Sequence, residues 1–247
     1  QQYLFGINVT RLQKEVTVIS ISPHITQGIN KRHYKNVWTR PNPVSQSTFS
    51  LSRKCINSLS RTYSSQPQKP TVLSVSKFMP RKNQKFLVSV ANILPHVNFL
   101  IAGPLDTEGI HAARDLGYLA ECQNLIEELQ LTNVSIITEF VDTAKLMQLS
   151  DVYVMPNKGE GLGTPLFEAL MSGLPVVANV EEDAFKLWIT KDKELGSLSH
   201  LAPNFFADLI TKELRQNTIE KMEFRRSFAI QHAAEEQTLT RYRELLQ

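Results

Sequence analysis

Residues 158–178 decide the fold, and they read KGEGLGTPLFEALMSGLPVVA. The apolar run before them, DVYVMP at 151–156, is typical of a buried strand that a proline ends. Gly173 and Pro175 predict the end of a short helix, and VVA at 176–178 begins another strand. The order strand, glycine-rich loop, helix, strand predicts a βαβ unit whose loop lies at the carboxyl edge of a parallel sheet.

The start of this helix is predicted to bind an anion, with Thr164 as the N-cap and Pro165 in the first helical position. Free backbone N–H groups and the helix dipole both favour negative charge there. Glu160 and Glu168 flank the turn, and their carboxylates are suited to accepting hydrogen bonds from hydroxyl groups. A phosphate flanked by hydroxyls describes a nucleotide-sugar.

The segment resembles the paired-glutamate signature of retaining, nucleotide-sugar-dependent glycosyltransferases with the GT-B fold, the large family called glycosyl transferases group 1. The common form there is Glu-Gly-Phe-Gly, three variable residues, Leu-Glu-Ala and then Gly-x-Pro-Val-Val. EGLG at 160–163, FEA at 167–169 and GLPVV at 173–177 match it. Leu162 replaces the usual aromatic residue and Phe167 the usual leucine, so apolar residues stand at both positions.

The resemblance implies that this chain is mainly the C-terminal, donor-binding half of a GT-B fold. From Thr71 onward, apolar runs and helical spacings alternate, which predicts an α/β fold with a doubly wound, Rossmann-like parallel sheet. Before it, a strand ending near Ser20, a helix and a short strand running into Pro41 resemble the passage that closes the family's first domain.

We therefore divide the chain into four parts. They are the end of the N-terminal acceptor domain, a linker or surface loop, the donor-binding domain, and C-terminal helices that return towards the N-terminal domain, at residues 1–44, 45–70, 71–216 and 217–247. In the last part, apolar residues at helical spacing are expected to be buried, namely Met222, Phe228, Ile230, Leu239 and Leu245.

Lys77 and Lys82 follow the first strand of the donor-binding domain, in SKFMPRKN at 76–83. Cations at the carboxyl edge of a parallel sheet point into the crevice where ligands bind. The family pattern here is Gly-Arg-Leu, three residues and Lys-Gly, which implies that the two basic side chains clamp the donor diphosphate. Ser76 and Asn83 replace both glycines, and lysine at 77 keeps the charge of arginine without its bidentate geometry.

The resemblance also assigns the other site residues. It implies that Glu160 contacts the donor sugar near the anomeric carbon and that Glu168 binds the ribose hydroxyls, with Glu160, Lys82 and Lys77 as the catalytic set. The further substrate-binding positions are the backbone of the glycine turn and helix start, a strand end near the nucleotide and the base pocket, namely Gly161, Leu162, Gly163, Thr164, Leu166, Gly103, Phe140 and Val141.

No cofactor and no metal are expected, because GT-B enzymes use lysines and helix amides to stabilise the leaving diphosphate. The implied partners are a nucleotide-sugar donor, a hydroxyl acceptor and the missing N-terminal domain, with no nucleic acid. The formal charge of +3 allows affinity for phosphates or for an anionic membrane face. No apolar run is long enough to span a bilayer, so a cytoplasmic protein is expected, with peripheral membrane association as an option.

Three functions stay open on the sequence alone. The first is sugar transfer with retention, for which this fragment by itself is expected to be inactive. The second is a non-catalytic nucleotide-sugar binding module, which Ser76, Asn83 and Glu139 keep open because they stand where glycine is usual. The third, glycoside hydrolysis, explains the two glutamates but not the lysines, the glycine turn or the sheet.

Overall fold

Two small sheets precede the main one in the computed structural model, which describes residues 3–4, 7–8, 16–21, 23–30, 34, 36–49, 69–161 and 163–246. Strands β1 (Tyr3–Leu4) and β2 (Ile7–Asn8) pair antiparallel. Strands β3 (Thr17–Ser20) and β4 (Asn36–Thr39) pair parallel, with helix α1 (Pro23–Asn30) between them. The strand, helix and strand expected before Pro41 are therefore present.

The remaining chain alternates strands and helices, as its sequence predicts. The elements are β5 (Thr71–Val75), a 3₁₀ turn (Pro80–Lys82), α2 (Gln84–Ile93), β6 (Asn98–Ala102), α3 (Ala112–Glu128), β7 (Val134–Ile137), α4 (Thr143–Gln148), β8 (Val152–Met155), α5 (Thr164–Met171), β9 (Val176–Asn179), α6 (Asp183–Ile189), β10 (Gly196–Ser199), α7 (Pro203–Gln216), α8 (Ile219–Ala233) and α9 (Glu235–Leu246). The 3₁₀ turn, the helices α6 and α7, and the strand β10 were not predicted. Of the predicted linker, residues 46–49 form a turn and residues 50–68 lie outside the described residues.

The six strands from β5 to β10 form one parallel sheet in the order β10-β9-β8-β5-β6-β7. The chain starts in the middle at β5, winds outward to β7, then returns to β8 beside β5 and winds the other way. This is the doubly wound order of a Rossmann-like fold, and it confirms the predicted fold class. The crevice outside the carboxyl ends of β5 and β8 is the topological switch point, where such sheets bind ligands.

Helices cover both faces of the sheet, and alternate residues of each strand supply the two cores. On one face, Val152 and Val154 of β8 pack with apolar residues of α2 and α7. On the other, Tyr153 and Met155 pack with those of α4, α5, α6 and α8. Burial on both faces explains why the sequences of β8 and β9 are continuous apolar runs. No helix of the described ranges is both long and apolar enough to cross a membrane.

The C-terminal helices return to the N-terminal segment. Tyr242 of α9 stacks edge-on against Trp38 of β4, with ring centroids 5.3 Å apart, and its hydroxyl accepts a hydrogen bond from Arg40 at 2.6 Å. The prediction that Leu239 and Leu245 are buried is wrong, because both are exposed. The inward face of α9 carries Thr238 and Tyr242 four residues apart, so Leu239 points away, and Leu245 lies in the last turn.

Candidate functional site

Two loops meet at the switch point, one after β5 and one after β8. Hydrogen bonds to backbone carbonyls join them: the Lys158 amide donates to the Arg81 carbonyl at 2.7 Å, Arg81 Nη1 to the Gly159 carbonyl at 3.0 Å, and Asn83 Nδ2 to the Pro156 carbonyl at 3.2 Å. Asn83 has a φ of +59°, in the left-handed region that asparagine tolerates better than most side chains. A glycine, which the resembled family pattern has here, would adopt this left-handed conformation without strain.

The joined loops bring together Lys82 and Glu160, two residues that the sequence predicts as catalytic. Lys82 Nζ lies 2.5 Å from Glu160 Oε2, and Asn157 Nδ2 donates to the same oxygen at 2.7 Å. The lysine and glutamate side chains are only 14% and 11% exposed, so water screens the ion pair weakly. Burial acts to raise the pKa of Glu160, but the hydrogen bond and charge of Lys82 outweigh it, and the pKa is lowered.

The helix α5 begins one residue earlier than its sequence predicts. Gly163, with a φ of +59°, is the N-cap, so Thr164 is the first helical residue and Pro165 the second. A capping side chain is not needed at a position whose backbone requires glycine. The Leu166 amide donates to the Gly163 carbonyl at 2.9 Å and is not free for a ligand, whereas the amides of Gly161 and Thr164 make no hydrogen bond within the described residues.

Glu168 lies on the second turn of α5, beyond the first turn in which its sequence position placed it. Its side chain is half-buried, and among the described residues no cation or hydrogen-bond donor pairs with its carboxylate. Burial therefore raises the pKa of Glu168. Two carboxylates of one site thus have opposite environments: Glu160 is neutralised by a lysine, and Glu168 keeps its capacity to accept hydrogen bonds.

Tyr153 of β8 lies below the site and joins β8 to β5 through its hydroxyl group. Its hydroxyl donates to the Val75 carbonyl at 3.0 Å and accepts from the Val75 amide at 3.2 Å, at the carboxyl end of β5. Burial, with the negative charges of Glu168 and Glu160 nearby, raises the pKa of this phenol, which stays a neutral hydrogen-bonding group. Its position next to both glutamates was not predicted, because a tyrosine in a strand is usually only a core residue.

Lys77 is held away from Glu160 by two aspartates near α3. Its ammonium forms an ion pair with Asp106 and lies 3.7 Å from Oδ2 of the fully buried Asp115. Arg114 Nε donates to the other oxygen of Asp115 at 2.8 Å, which with the charge of Lys77 lowers the pKa of that carboxyl group. The structure thus places Lys77 at the carboxyl edge of the sheet but in a different cluster from Lys82. Both aspartates follow β6, at the same edge of the sheet, and this position in the sequence could have predicted that they lie near Lys77.

The other predicted site residues have separate surroundings. Gly103, at the end of β6 with a φ of +149°, approaches the Ser76 carbonyl so closely that a Cβ atom would lie 2.0 Å from the oxygen, so the position requires glycine for packing. Phe140 is 95% exposed after β7, and Val141 beside it is half-buried against the core. Leu162 lies outside the described residues.

Four residues that the sequence analysis did not name as site residues make hydrogen bonds to the loop after β8 or to the start of α5. Asn157 contacts Glu160, as described above. Asn179 Nδ2 donates to the Asn157 carbonyl at 2.9 Å, and the Glu182 carboxylate accepts hydrogen bonds from the amides of Gly159 and Glu160, each at 2.6 Å. Asn42 Nδ2 donates to Thr164 Oγ1 at 3.2 Å. In the part of the chain that the structure describes, no group of three His, Cys, Asp or Glu residues could hold a metal ion.

Comparisons with known proteins give the family of the chain. The family model described as "Glycosyl transferases group 1" matches residues 57–222. A sulfoquinovosyl transferase, SQD2 from Arabidopsis thaliana, is 30% identical over 121 residues, which are 48% of this chain and 21% of that protein.

Solved structures share the fold at lower identity. Sucrose-phosphate synthase from Thermosynechococcus elongatus has a TM-score of 0.77 at 22% identity, covering 96% of this chain and 60% of that one. HepE from Anabaena, solved with UDP and glucose, has a TM-score of 0.79 at 20% identity, covering 93% and 62%. The C-terminal domain of a group 1 glycosyl transferase from Francisella tularensis has a TM-score of 0.57 at 18% identity, covering 75% of this chain and 92% of that domain. The chain therefore spans about three fifths of the first two structures.

Proposed function

The chain belongs to the glycosyl transferases group 1 family, and from that premise we propose that it is the donor-binding half of a retaining glycosyltransferase. The whole protein would transfer a sugar from a nucleoside diphosphate sugar to a hydroxyl acceptor. The almost complete coverage of a C-terminal domain, and the contacts of Tyr242 with Trp38 and Arg40, support the division into a donor half and the end of an acceptor domain.

One observation carries the proposal: Lys82 and Glu160 pair at the switch point of the sheet, near the half-buried carboxylate of Glu168, which has no partner among the described residues. A cation suits a diphosphate, and so do the amides of Gly161 and Thr164, before and at the start of α5, which make no hydrogen bond within the described ranges. The half-buried carboxylate of Glu168 has the acceptor oxygens that a pair of ribose hydroxyls needs. UDP bound to HepE makes UDP the first candidate for the nucleotide.

The chemistry follows from where negative charge develops. When the bond between the anomeric carbon and the phosphate oxygen breaks, charge grows on the leaving diphosphate, and Lys82 would then donate to phosphate oxygens as well as to Glu160. The amides of Gly161 and Thr164 would add to this stabilisation without a metal ion. Glu160, held beside Lys82, would accept hydrogen bonds from sugar hydroxyls and orient the anomeric carbon. Retention, metal independence, a cytoplasmic location and peripheral membrane association are parts of the proposal that rest on the family resemblance and the charge.

The binding-module alternative differs in one respect, since it keeps the donor site and loses transfer. Asn83 gives it no support, because its side chain keeps the left-handed turn that glycine usually makes. In glycoside hydrolysis, Glu160, whose pKa is lowered, would be the nucleophile, and Glu168, whose pKa is raised, would be the acid. Hydrolysis of a simple glycoside with no nucleotide would favour that function.

The test is titration of the chain with UDP, GDP, ADP and their glucose conjugates, followed by calorimetry. We expect one base to bind, and Glu168→Gln to weaken that nucleotide by about tenfold, because an amide oxygen replaces charge-assisted hydrogen bonds to the ribose. Glu127→Gln, an exposed residue of α3, is the matched control. Binding of no nucleotide, or equal affinity in both variants, would contradict the assignment of Glu168.

The same variant is expected to stabilise the free protein. The pKa of Glu168 is raised on folding, so its favourable contribution is complete below the unfolded pKa and is lost as pH rises through the folded pKa. At pH 7 the ionised carboxylate therefore destabilises the fold, and Glu168→Gln should raise Tm. The gain should disappear at about pH 4, where the wild-type residue is protonated.

Asp106→Asn should strengthen nucleoside diphosphate binding by roughly two- to fivefold. Without the charge of the partly exposed Asp106, the Lys77 ammonium could bind phosphate oxygens instead. The buried Asp115 would still hold the lysine at the edge of the sheet. Calorimetric titration with UDP measures the change, and Asp208→Asn on the surface of α7 is the control. An affinity that is unchanged or lower would show that Asp106 does not compete with phosphate for Lys77.

A further inference from the structure

Glu182 holds the backbone of the loop that carries Glu160. Its Oε1 accepts a hydrogen bond from the Gly159 amide and its Oε2 accepts one from the Glu160 amide, both at 2.6 Å. Gly159 has a φ of +75°, so two successive N–H groups point into one concavity. Such a concavity binds anions, and here a carboxylate of the same chain fills it. Short hydrogen bonds to an ionised acceptor are the strong kind.

Glu182 itself has a fixed place in the fold. It precedes α6 as the N-cap, and its amide donates to the carbonyl of Asn179 at the end of β9, at 3.3 Å. The buried Asn179 side chain donates to Asn157 in the same loop. On the opposite side of the loop, Arg81 accepts from the Lys158 amide and donates to the Gly159 carbonyl. The segment from Asn157 to Glu160 is therefore held between the end of β9 and the turn after β5.

We propose that Glu182 is a positioning residue for the donor sugar, acting through Glu160. The inference rests on the proposed function. By fixing the two amides, Glu182 directs the Glu160 carboxylate to Lys82 and to the place of the sugar hydroxyls. Lys82 and Glu168 lie on other elements, the 3₁₀ turn and α5, so Glu182 makes no hydrogen bond to the two side chains proposed to bind the phosphates and the ribose.

This separation predicts a split between two affinities. Glu182→Gln keeps the size of the side chain but replaces one acceptor oxygen with an amino group that faces a backbone donor. Glu160 should lose its fixed orientation, and the sugar should lose its contact, while the nucleotide keeps its own. Glu181→Gln is the matched control, because the neighbouring carboxylate lies on the surface and pairs with His200 at 2.8 Å.

The experiment is calorimetric titration of the full chain and of both variants with UDP, GDP and ADP and with the glucose conjugate of each. We expect the ratio of nucleotide-sugar to nucleotide affinity to fall about five- to tenfold in Glu182→Gln only, with nucleotide affinity within about twofold of wild type. Amide resonances of Gly159 and Glu160 should shift in that variant, since they lose a hydrogen bond to a carboxylate. A merely structural role would weaken both ligands together.

The outcomes separate the two proposals. If wild type binds no nucleotide and no nucleotide-sugar, the proposed function fails and the role of Glu182 fails with it. If wild type binds and Glu182→Gln has the same affinity ratio as Glu181→Gln, only the positioning role of Glu182 is overturned. If Glu182→Gln loses affinity for nucleotide and nucleotide-sugar equally, Glu182 supports the whole site rather than the sugar, and the positioning role is again overturned.

Discussion

Replacement of Lys82 by methionine is expected to weaken UDP binding by about 10- to 100-fold and to leave uridine binding unchanged. Methionine keeps most of the apolar stem and removes the ammonium group, which lies 2.5 Å from Glu160 Oε2 in the loop before α5. A charge-assisted hydrogen bond contributes about 1.5–3 kcal/mol, and uridine lacks the phosphates that would accept it. Calorimetric titration with both ligands measures the two affinities.

Lys85→Met is the control for this variant, because Lys85 lies three residues further along and pairs with Glu121 on the surface at 2.9 Å. Equal losses for UDP and uridine in Lys82→Met would argue against a phosphate contact. A loss of the same size in Lys85→Met would indicate that the general positive charge, rather than one lysine, attracts the ligand.

The same variant should change how stability depends on pH. Lys82 lowers the pKa of Glu160 on folding, so the pair stabilises the fold above the unfolded pKa, and this contribution is lost as pH falls through the folded pKa. The difference in unfolding free energy between wild type and Lys82→Met should therefore be largest near neutral pH and shrink below about pH 4. Urea unfolding at the two pH values measures it.

The sequence was sufficient for the elements whose signals are local. The run from β8 to β9 has a buried strand, a glycine turn, a proline and a second buried strand, and each of these limits the backbone within a few residues. The strand β10 reads GSLS, with one large apolar residue, and it was not predicted. It forms because it pairs with β9 at the edge of the sheet, a contact between distant residues.

The same difference between local signals and contacts of distant residues applies to the site. Glu160 and Glu168 could be found from their spacing around the glycines, and Lys82 from its place after a strand. The partners that determine their chemistry could not, because Glu182 is 22 residues from Glu160, and Lys82 is 78 residues from it. Lys77 shows the limit most clearly. Its position was predicted, but only the packing of α3 reveals that two aspartates neutralise it.

The largest stability change is expected at Arg225 of α8, a fully buried cation that ties this helix to the donor-binding domain. Its Nε donates to the Glu194 carbonyl at 2.6 Å, and its Nη1 donates to the Gly173 carbonyl at 3.1 Å and to Asn217 Oδ1 at 2.7 Å. Burial lowers the pKa of the guanidinium to about 10, although Glu213 and Glu194 act in the opposite direction. The guanidinium remains charged at neutral pH and satisfies three acceptors.

Arg225→Met should lower the free energy of unfolding by about 3 kcal/mol, because it leaves those three acceptors without their donor in a place that water does not reach. Urea unfolding at pH 7 measures the loss, and Arg241→Met, whose exposed side chain pairs with Glu244 on α9, is the control. Equal stability of the two variants would mean that α8 is not integral to the domain. Gly173 lies two residues beyond the C-terminal end of α5, whereas the proposed phosphate site lies at its N-terminal start, so Arg225→Met protein, while folded, should retain the nucleotide affinity of wild type.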